Sequence, residues 1–406
     1  MRQIADFHIH SRYSRACSRD LTLANIAKTC LIKGIDIVGT GDFTHPAWFK
    51  SIKDELVEIG SSGLYKLQED DNGVKFILST EVALIYKQGG RARRIHIVIH
   101  APNVVAVQKL NDFLGKHYNI RSDGRPILGM SVPTLCQLCF SIDPKFLIYP
   151  AHIWTPWFSV FGSKSGFDSL EECFGEYTNQ IFAYETGLSS DPEMNWRVSA
   201  LDKLTLLSNS DAHSLQNLAR EANVFEFNEE VTYDAIYQII KGENKKSFLD
   251  YTIEFYPEEG MYHWDGHRAC GACLSPVETK EKKGLCPVCN RALTIGVDYR
   301  VNELANRKVG KQLKGKPSFK KLVGLNKIIA EAVGVKSPQA KKVLVEYDKL
   351  ISELQASEID ILLDAPIEKI AAVTTDKIAE GIRRMRAGEL TVAPGFDGQY
   401  GVVKIF

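Results

Sequence analysis

Two histidines two residues apart, His8 and His10, close the run IADFHIH, and six further apolar runs carry a metal-competent side chain at or near their ends. In chain order these are Asp42 in GIDIVGTGD, Glu81 in VKFILSTEV, His96 or His100 in RIHIVIH, His152 in FLIYPAH, Glu185 in IFAYETG, and Asp211 with His213 after LTLLSN. A strand alternates its faces, so His8 and His10 point the same way. Imidazole nitrogens mixed with carboxylate oxygens suit zinc, manganese or iron better than calcium, which prefers oxygen alone. The set is too large for one tetrahedral ion, so two or three divalent ions (zinc, manganese or magnesium) are expected. Clustered ions polarise a phosphoryl oxygen, generate hydroxide at neutral pH and steady a leaving oxygen. The chemistry expected is phosphoester hydrolysis.

A second set has a different purpose. Cys270, Cys273, Cys286 and Cys289 form two C-x-x-C pairs separated by twelve residues. Four thiolates on two knuckles make a closed tetrahedral zinc site, whose job is to fold a small ribbon rather than to catalyse. His263 and His267 flank this ribbon without being required by it. Cys136 and Cys139 form an isolated C-x-x-C inside TLCQLCF, a helical stretch, and read as buried apolar residues.

The elements that must position these residues follow from the pattern around them. Seven short β-branched runs alternate with helical stretches such as LANIAKTCLIKG and VVAVQKLNDFLGK, which argues for parallel βα units. Seven units suggest a distorted TIM-like α/β barrel with its chemistry at the C-terminal strand ends. At 406 residues the chain is too long for one ordinary domain. The expected division is a catalytic barrel over 1–255, a zinc ribbon over 256–299, and a mainly helical domain over 300–406. Within that last part, SFKKLVGLNKIIAEAVG is expected to be helical. No apolar run approaches a membrane span, and the N-terminus shows no leader, so a cytoplasmic protein is expected.

Charge separates the regions further. Residues 300–350 hold 13 Lys and Arg against 4 Asp and Glu in a chain whose formal net charge is zero, so a polyanion is the expected partner of that segment. Its lysines include Lys311, Lys314, Lys320 and Lys321, which could neutralise phosphates without reading sequence. A solvated helical face explains the same composition. Arg12 and Arg15 follow the first strand and suit phosphate oxygens. Trp154, Trp157 and Phe158, with Lys164, crowd the loop after His152, where aromatics could stack or wedge bases.

The motifs also resemble a known family. HIH after the first strand, GDFTH after the second, TE after the third and SDAH at the last are similar to the polymerase and histidinol phosphatase (PHP) superfamily. That likeness implies a seven-unit barrel holding up to three ions on His8, His10, Asp42, Glu81, His96, His152, Asp211 and His213, with His45 and Glu185 as extras. Ser14 stands where the family often has a further histidine. PAHIWTPWFSVFGSKSGFDSLEECFG, YETGLSSDPEMNWR and SNSDAHS resemble the endonuclease Q family over nearly the whole chain. The resemblance implies a DNA repair nuclease that cuts on the 5′ side of deaminated bases (uracil, hypoxanthine, xanthine) or abasic sites. An extruded base would then enter a pocket lined by residues 154–166 and 185–196. A small-molecule phosphatase and a non-catalytic nucleic-acid-binding module are the alternatives. A sliding clamp is a further candidate partner, although no segment reads as a clamp-binding peptide.

Overall fold

The computed structural model describes residues 1–69, 73–310 and 313–406, and every expected run contains a strand. These are Arg2–Asp6, Ile37–Gly39, Lys75–Ile77 continuing to Ser79–Gln88, Arg91–His100, Leu147–Pro150, Ala183–Glu185 and Thr205–Leu207. Their pairing corrects the all-parallel expectation. Arg2–Asp6, Ile37–Gly39 and Lys75–Ile77 are parallel neighbours, as are Ala183–Glu185 and Thr205–Leu207. Ser79–Gln88 and Arg91–His100 instead form an antiparallel hairpin, and Leu147–Pro150 runs antiparallel to its second strand. The cause is local. Gly89 and Gly90 join the two strands at φ 60° and 73°, the left-handed pair that a type I′ turn requires. Two residues close a hairpin, whereas a parallel crossover needs about a dozen.

Hydrogen bonds distribute these strands over an eight-stranded, a four-stranded and a two-stranded sheet rather than one continuous ring. The eight-stranded sheet is extended by Ala222–Glu226 and Phe248–Glu254, both antiparallel to their predecessors, and then by Ser318–Lys321 in parallel. The stretch expected to be wholly helical therefore begins as a strand. Phe319 meets Trp196 edge to face at 5.8 Å, and Lys320 lies over the Tyr251 ring, so the sheet surface rather than helix propensity decides its conformation. The helix itself starts later, at Leu325–Ala332.

Helices cover the sheets through apolar stripes of helical period. Leu23–Lys33 starts where the Thr22 hydroxyl accepts the Asn25 N–H, and stops at Gly34 with φ 88°. It buries Leu23, Ile26, Ala27 and Cys30, one face of a helix. Val132–Ile142 buries Cys136 and Cys139, and burial pushes the Cys136 thiol up to about 12. One apolar core runs from Ile4 through Ile148 and Ile253 to Leu325 and Ile405, joining the C-terminal helices to the α/β part. At that junction buried Glu358 accepts from Lys33 Nζ at 2.9 Å, Tyr347 Oη at 2.8 Å and the Leu325 N–H at 3.0 Å. Among the described residues no helix is long and apolar enough to cross a membrane.

Candidate metal centre

Among the described residues three groups of donor atoms lie close enough to hold ions, and the two made of histidines and carboxylates share one carboxylate. His8, His10, Glu81 and Asp211 form the first; Glu81, His96 and His152 form the second. His10 Nε2 lies 3.0 Å from Asp211 Oδ1 and 3.2 Å from Glu81 Oε2. His96 Nδ1 and His152 Nε2 approach Glu81 Oε1 at 2.8 and 3.2 Å. The Gly89-Gly90 hairpin brings the second group together, because it sets Ala83 opposite His96 and so places His96 near Glu81 on the neighbouring strand. His96 thus sits within a strand rather than at its end. His100, the other candidate, pairs with Tyr149 Oη at 2.9 Å inside the core, where burial pulls it down to about 3.

The first group fits a divalent ion on an observation independent of its composition. His8 Nε2 is buried without a hydrogen-bond partner, 3.6 Å from Glu81 Oε2 and 3.7 Å from Asp211 Oδ1. A buried nitrogen left unpaired beside two carboxylates carries a desolvation cost that an ion would remove. The charges agree. Burial opposes ionisation of Glu81, yet the positive groups around it hold its carboxyl well below the usual range. Burial likewise opposes charge on His8 and His10, but the surrounding carboxylates raise both well above 6.5.

Two of the expected ligands, Glu185 and Asp42, hydrogen-bond to the rings of two others. His8 Nδ1–H donates to both Glu185 oxygens at 3.1 and 3.0 Å, and His10 Nδ1–H donates to Asp42 Oδ1 at 3.0 Å. Each carboxylate fixes the tautomer that leaves Nε2 facing the cluster. Asp42 Oδ2 is occupied by the Ser11 N–H, the Ser11 hydroxyl and the Ser14 hydroxyl at 2.7, 2.7 and 2.8 Å. Ser14 therefore anchors Asp42. His213 lies outside both groups: Nδ1 contacts the Asp211 carbonyl at 2.9 Å, and its ring packs 4.5 Å from that of His10. His45 Nε2–H donates to the Arg121 carbonyl at 3.0 Å while the ring stacks on Tyr13. The backbone is held to match. Asp42, His152 and Asp211 adopt φ of 46°, 27° and 45°, a left-handed conformation costly without glycine.

The loop residues divide in the same way. Trp154 is fully buried and its indole donates to Asn195 Oδ1 at 2.8 Å, so it belongs to the loop core and not to a binding surface. Trp157 is exposed beside Tyr262, Lys164 is exposed, and half-buried Phe158 packs on the His96 ring at 4.5 Å. Arg12 and Arg15 are exposed. Lys314 and Lys320 are exposed too, whereas Lys321 pairs with Asp191 at 2.7 Å and is not free for phosphate. Lys311 lies outside the described residues. Arg125, which sequence reasoning missed, donates from Nη1 to Glu81 Oε2 at 2.8 Å. Nothing in RSDGRP signals it, because its polar loop looks like an ordinary surface turn.

The ribbon departs from the four-cysteine expectation. Its compact donor group is His267, Cys270, Cys286 and Cys289, with Cys273 outside. Strand alternation explains the exchange. In the Asp265–His267 and Ala272–Leu274 hairpin, His267 pairs with Ala272 and Gly266 with Cys273, so Cys273 faces the opposite side from His267. Burial would raise the Cys286 thiol, but backbone N–H groups of Cys289 and Val288 outweigh it and pull it to about 6. A thiolate stabilised in this way suits a structural zinc.

Paired histidine–carboxylate groups with buried orienting carboxylates, set among the strands of an α/β fold, define a metal-dependent phosphoesterase. Comparisons with known proteins narrow the class. The crystal structure of the lesion-specific endonuclease PfuEndoQ from Pyrococcus furiosus superposes with a TM-score of 0.87 at 32% identity, covering 100% of this chain and 95% of that one. Endonuclease Q bound to a 27-mer duplex with an abasic lesion at the active site gives 0.86 and 32%, covering 100% and 97%. Residues 324–389 match the model of the MJ0043 C-terminal domain. The uncharacterized protein MJ0043 of Methanocaldococcus jannaschii is 31% identical over 61% of this chain, a match that spans 31% of MJ0043. The chain belongs to the endonuclease Q family.

Proposed function

We propose that this chain is a DNA repair endonuclease that hydrolyses the phosphodiester on the 5′ side of a deaminated base (uracil, hypoxanthine or xanthine) or of an abasic site. One observation carries the reading: Glu81 joins two buried donor groups in a chain similar over its full length to a lesion-specific endonuclease. Bound ions would supply Lewis-acid stabilisation of phosphoryl charge and a water acidic enough to lose a proton at neutral pH. The protein's own residues do the positioning. His8 and His10 present Nε2 because Glu185 and Asp42 occupy Nδ1. His152 presents Nε2 because its Nδ1 contacts the Ser159 hydroxyl at 3.0 Å.

The seven strand units are read as one distorted barrel around this centre, spanning residues 1–255, with the ribbon over 256–299 and the basic domain over 300–406. Selection of damage needs an event beyond hydrolysis, since a metal centre reads only a phosphodiester. A mispaired or missing base costs less to unstack than a paired one, which favours extrusion of the damaged nucleotide. Trp157 and Phe158, with the segment 185–196, are proposed to meet the extruded nucleotide, and Trp154 supports them from beneath. Labelled duplexes with a single uracil, hypoxanthine or abasic site, incubated with the chain and zinc, manganese or magnesium, test the reading. Strand scission immediately 5′ of the lesion is expected, with the undamaged duplex left intact. Equal cutting of both, or none with any metal, would refute it.

A further inference from the structure

The loop over residues 119–126 is fastened around the metal centre at several points. The Gly124 N–H donates to the Tyr13 carbonyl at 3.0 Å, and the Thr44 hydroxyl donates to the Gly124 carbonyl at 3.2 Å. Asp123 Oδ1 accepts the N–H groups of Arg15 and Arg125 at 3.2 and 3.1 Å. Gly124 passes so close to Asp42 that a Cβ there would lie 2.3 Å from Asp42 Oδ2. A loop held this tightly delivers its last charged side chain to a defined place.

That side chain is Arg125. Its one hydrogen bond among the described residues goes to Glu81 Oε2, the oxygen that also lies 3.2 Å from His10 Nε2. The side chain is 25% exposed, and none of its nitrogens is both buried and unpartnered, so its remaining donors reach solvent at the edge of the first donor group. Charge balance explains why that matters. Glu81 already faces His8, His10, His96 and His152. Two divalent cations would outweigh the Glu81 and Asp211 carboxylates that attract the Arg125 guanidinium, so a further anion is favoured beside it. A phosphodiester is such an anion, and the guanidinium fork matches its non-bridging oxygens.

We propose that Arg125 is a catalytic residue that donates to a non-bridging oxygen of the scissile phosphodiester. It stabilises the charge that builds there as the water oxygen bonds to phosphorus and the ester P–O bond breaks. The water's proton ends on the departing oxygen. The assignment rests on the nuclease reading above. Exposed Arg12 and Arg15 would guide the strand at the rim, whereas Arg125 acts at the bond that is cut.

The test uses full-length wild type, Arg125→Ala and Arg125→Lys, with metal content measured by mass spectrometry. Loss of a single oxyanion donor costs about 10²–10³ in rate, so Arg125→Ala should slow single-turnover cleavage of an abasic duplex by that factor at unchanged metal content. Lysine keeps the charge without the fork and should restore only part of the rate, while added guanidinium should rescue the alanine variant. Calorimetric titration of the metal-loaded proteins with inorganic phosphate gives a readout independent of DNA cutting. Binding should weaken about tenfold or more in Arg125→Ala. If the variant loses ions and excess metal restores its rate, Arg125 merely holds Glu81 and the proposal falls. Unchanged cleavage, unchanged phosphate binding, or no phosphate binding by wild type would also overturn it. If wild type cuts no duplex, the nuclease reading fails, and the phosphate titration still decides Arg125.

Discussion

Replacing Glu185 with glutamine separates three roles that this residue could have at the centre: ligand, base contact, or holder of His8. The structure argues for the third. Glu185 is fully buried, its two oxygens take the His8 Nδ1–H at 3.1 and 3.0 Å, and Oε2 also accepts the His152 N–H at 3.1 Å. Glutamine has one acceptor oxygen: placed at Oε2 it still serves His8 and His152, but its NH₂ group then stands at Oε1, 3.1 Å from the same His8 Nδ1–H. The loss is part of a charge-assisted hydrogen bond, whose whole net value is about 1.5–3 kcal/mol. Changes to such outer partners lower metal affinity about 10–100-fold, equivalent to about 1.4–2.8 kcal/mol, in agreement with that figure. Glu185→Gln should therefore move the metal dependence of cleavage to about 10–100-fold higher concentration and recover most activity at saturation. Chelator competition gives the affinity, and mass spectrometry of the saturated protein gives the ion count. An ion lost even at saturation would make Glu185 a ligand. An unchanged metal curve with altered lesion preference would make it a base contact. Either result refutes the orienting role.

On the ribbon, Cys273→Ser should keep its zinc while His267→Ala and Cys289→Ser each lose one equivalent, because Cys273 lies outside the donor group; zinc loss in Cys273→Ser alone would restore the four-cysteine site. Lys314 and Lys320 are exposed, and neutralising both should reduce the salt slope of duplex binding by about two; Lys321→Ala, which breaks the Asp191 pair, should leave the slope nearly unchanged, and the reverse pattern would refute this assignment. Burial pushes Glu254 from 4.5 up to about 8, so its stabilising contribution is complete below pH 4.5 and is lost as pH rises toward 8. Glu254→Gln cannot ionise, so its stability should gain on wild type between pH 5 and 8 by at most about 1.4 kcal/mol per pH unit; parallel urea-unfolding profiles for the two proteins would rule this out.

How much of this could be read in advance depends on how each residue does its work. The strands were legible because β-branched runs and turn residues are local signals, and even the hairpin was marked by Gly89-Gly90 between two apolar runs. It was lost to the parallel βα pattern around it. The strand at Ser318–Lys321 was not legible, because its partner Phe248–Glu254 lies far back in the chain. Ribbon ligation turned on parity: a one-residue change in where the hairpin ladder starts exchanges the faces of His267 and Cys273, and no spacing rule fixes that start.

The metal centre shows the same division between local and distant information. His8 and His10 announce themselves because two imidazoles on one face of a strand have few other uses. Their partners do not. Asp42 reaches His10 across 32 positions of sequence, and Glu185 reaches His8 across 177. Either carboxylate could as well be a ligand when judged by residue type. What separates the roles is which atoms remain unpaired once the chain has folded. His8 Nε2 is left open and Glu185 is not. Arg125 stands at the far end of that scale, since its position depends on a turn anchored to Tyr13, Arg15 and Thr44, all distant from it in sequence. Residues that touch an ion must be one of a few types, so composition exposes them. Residues that orient a ligand or meet a phosphate need only the right charge at the right point, and that point exists only in the fold.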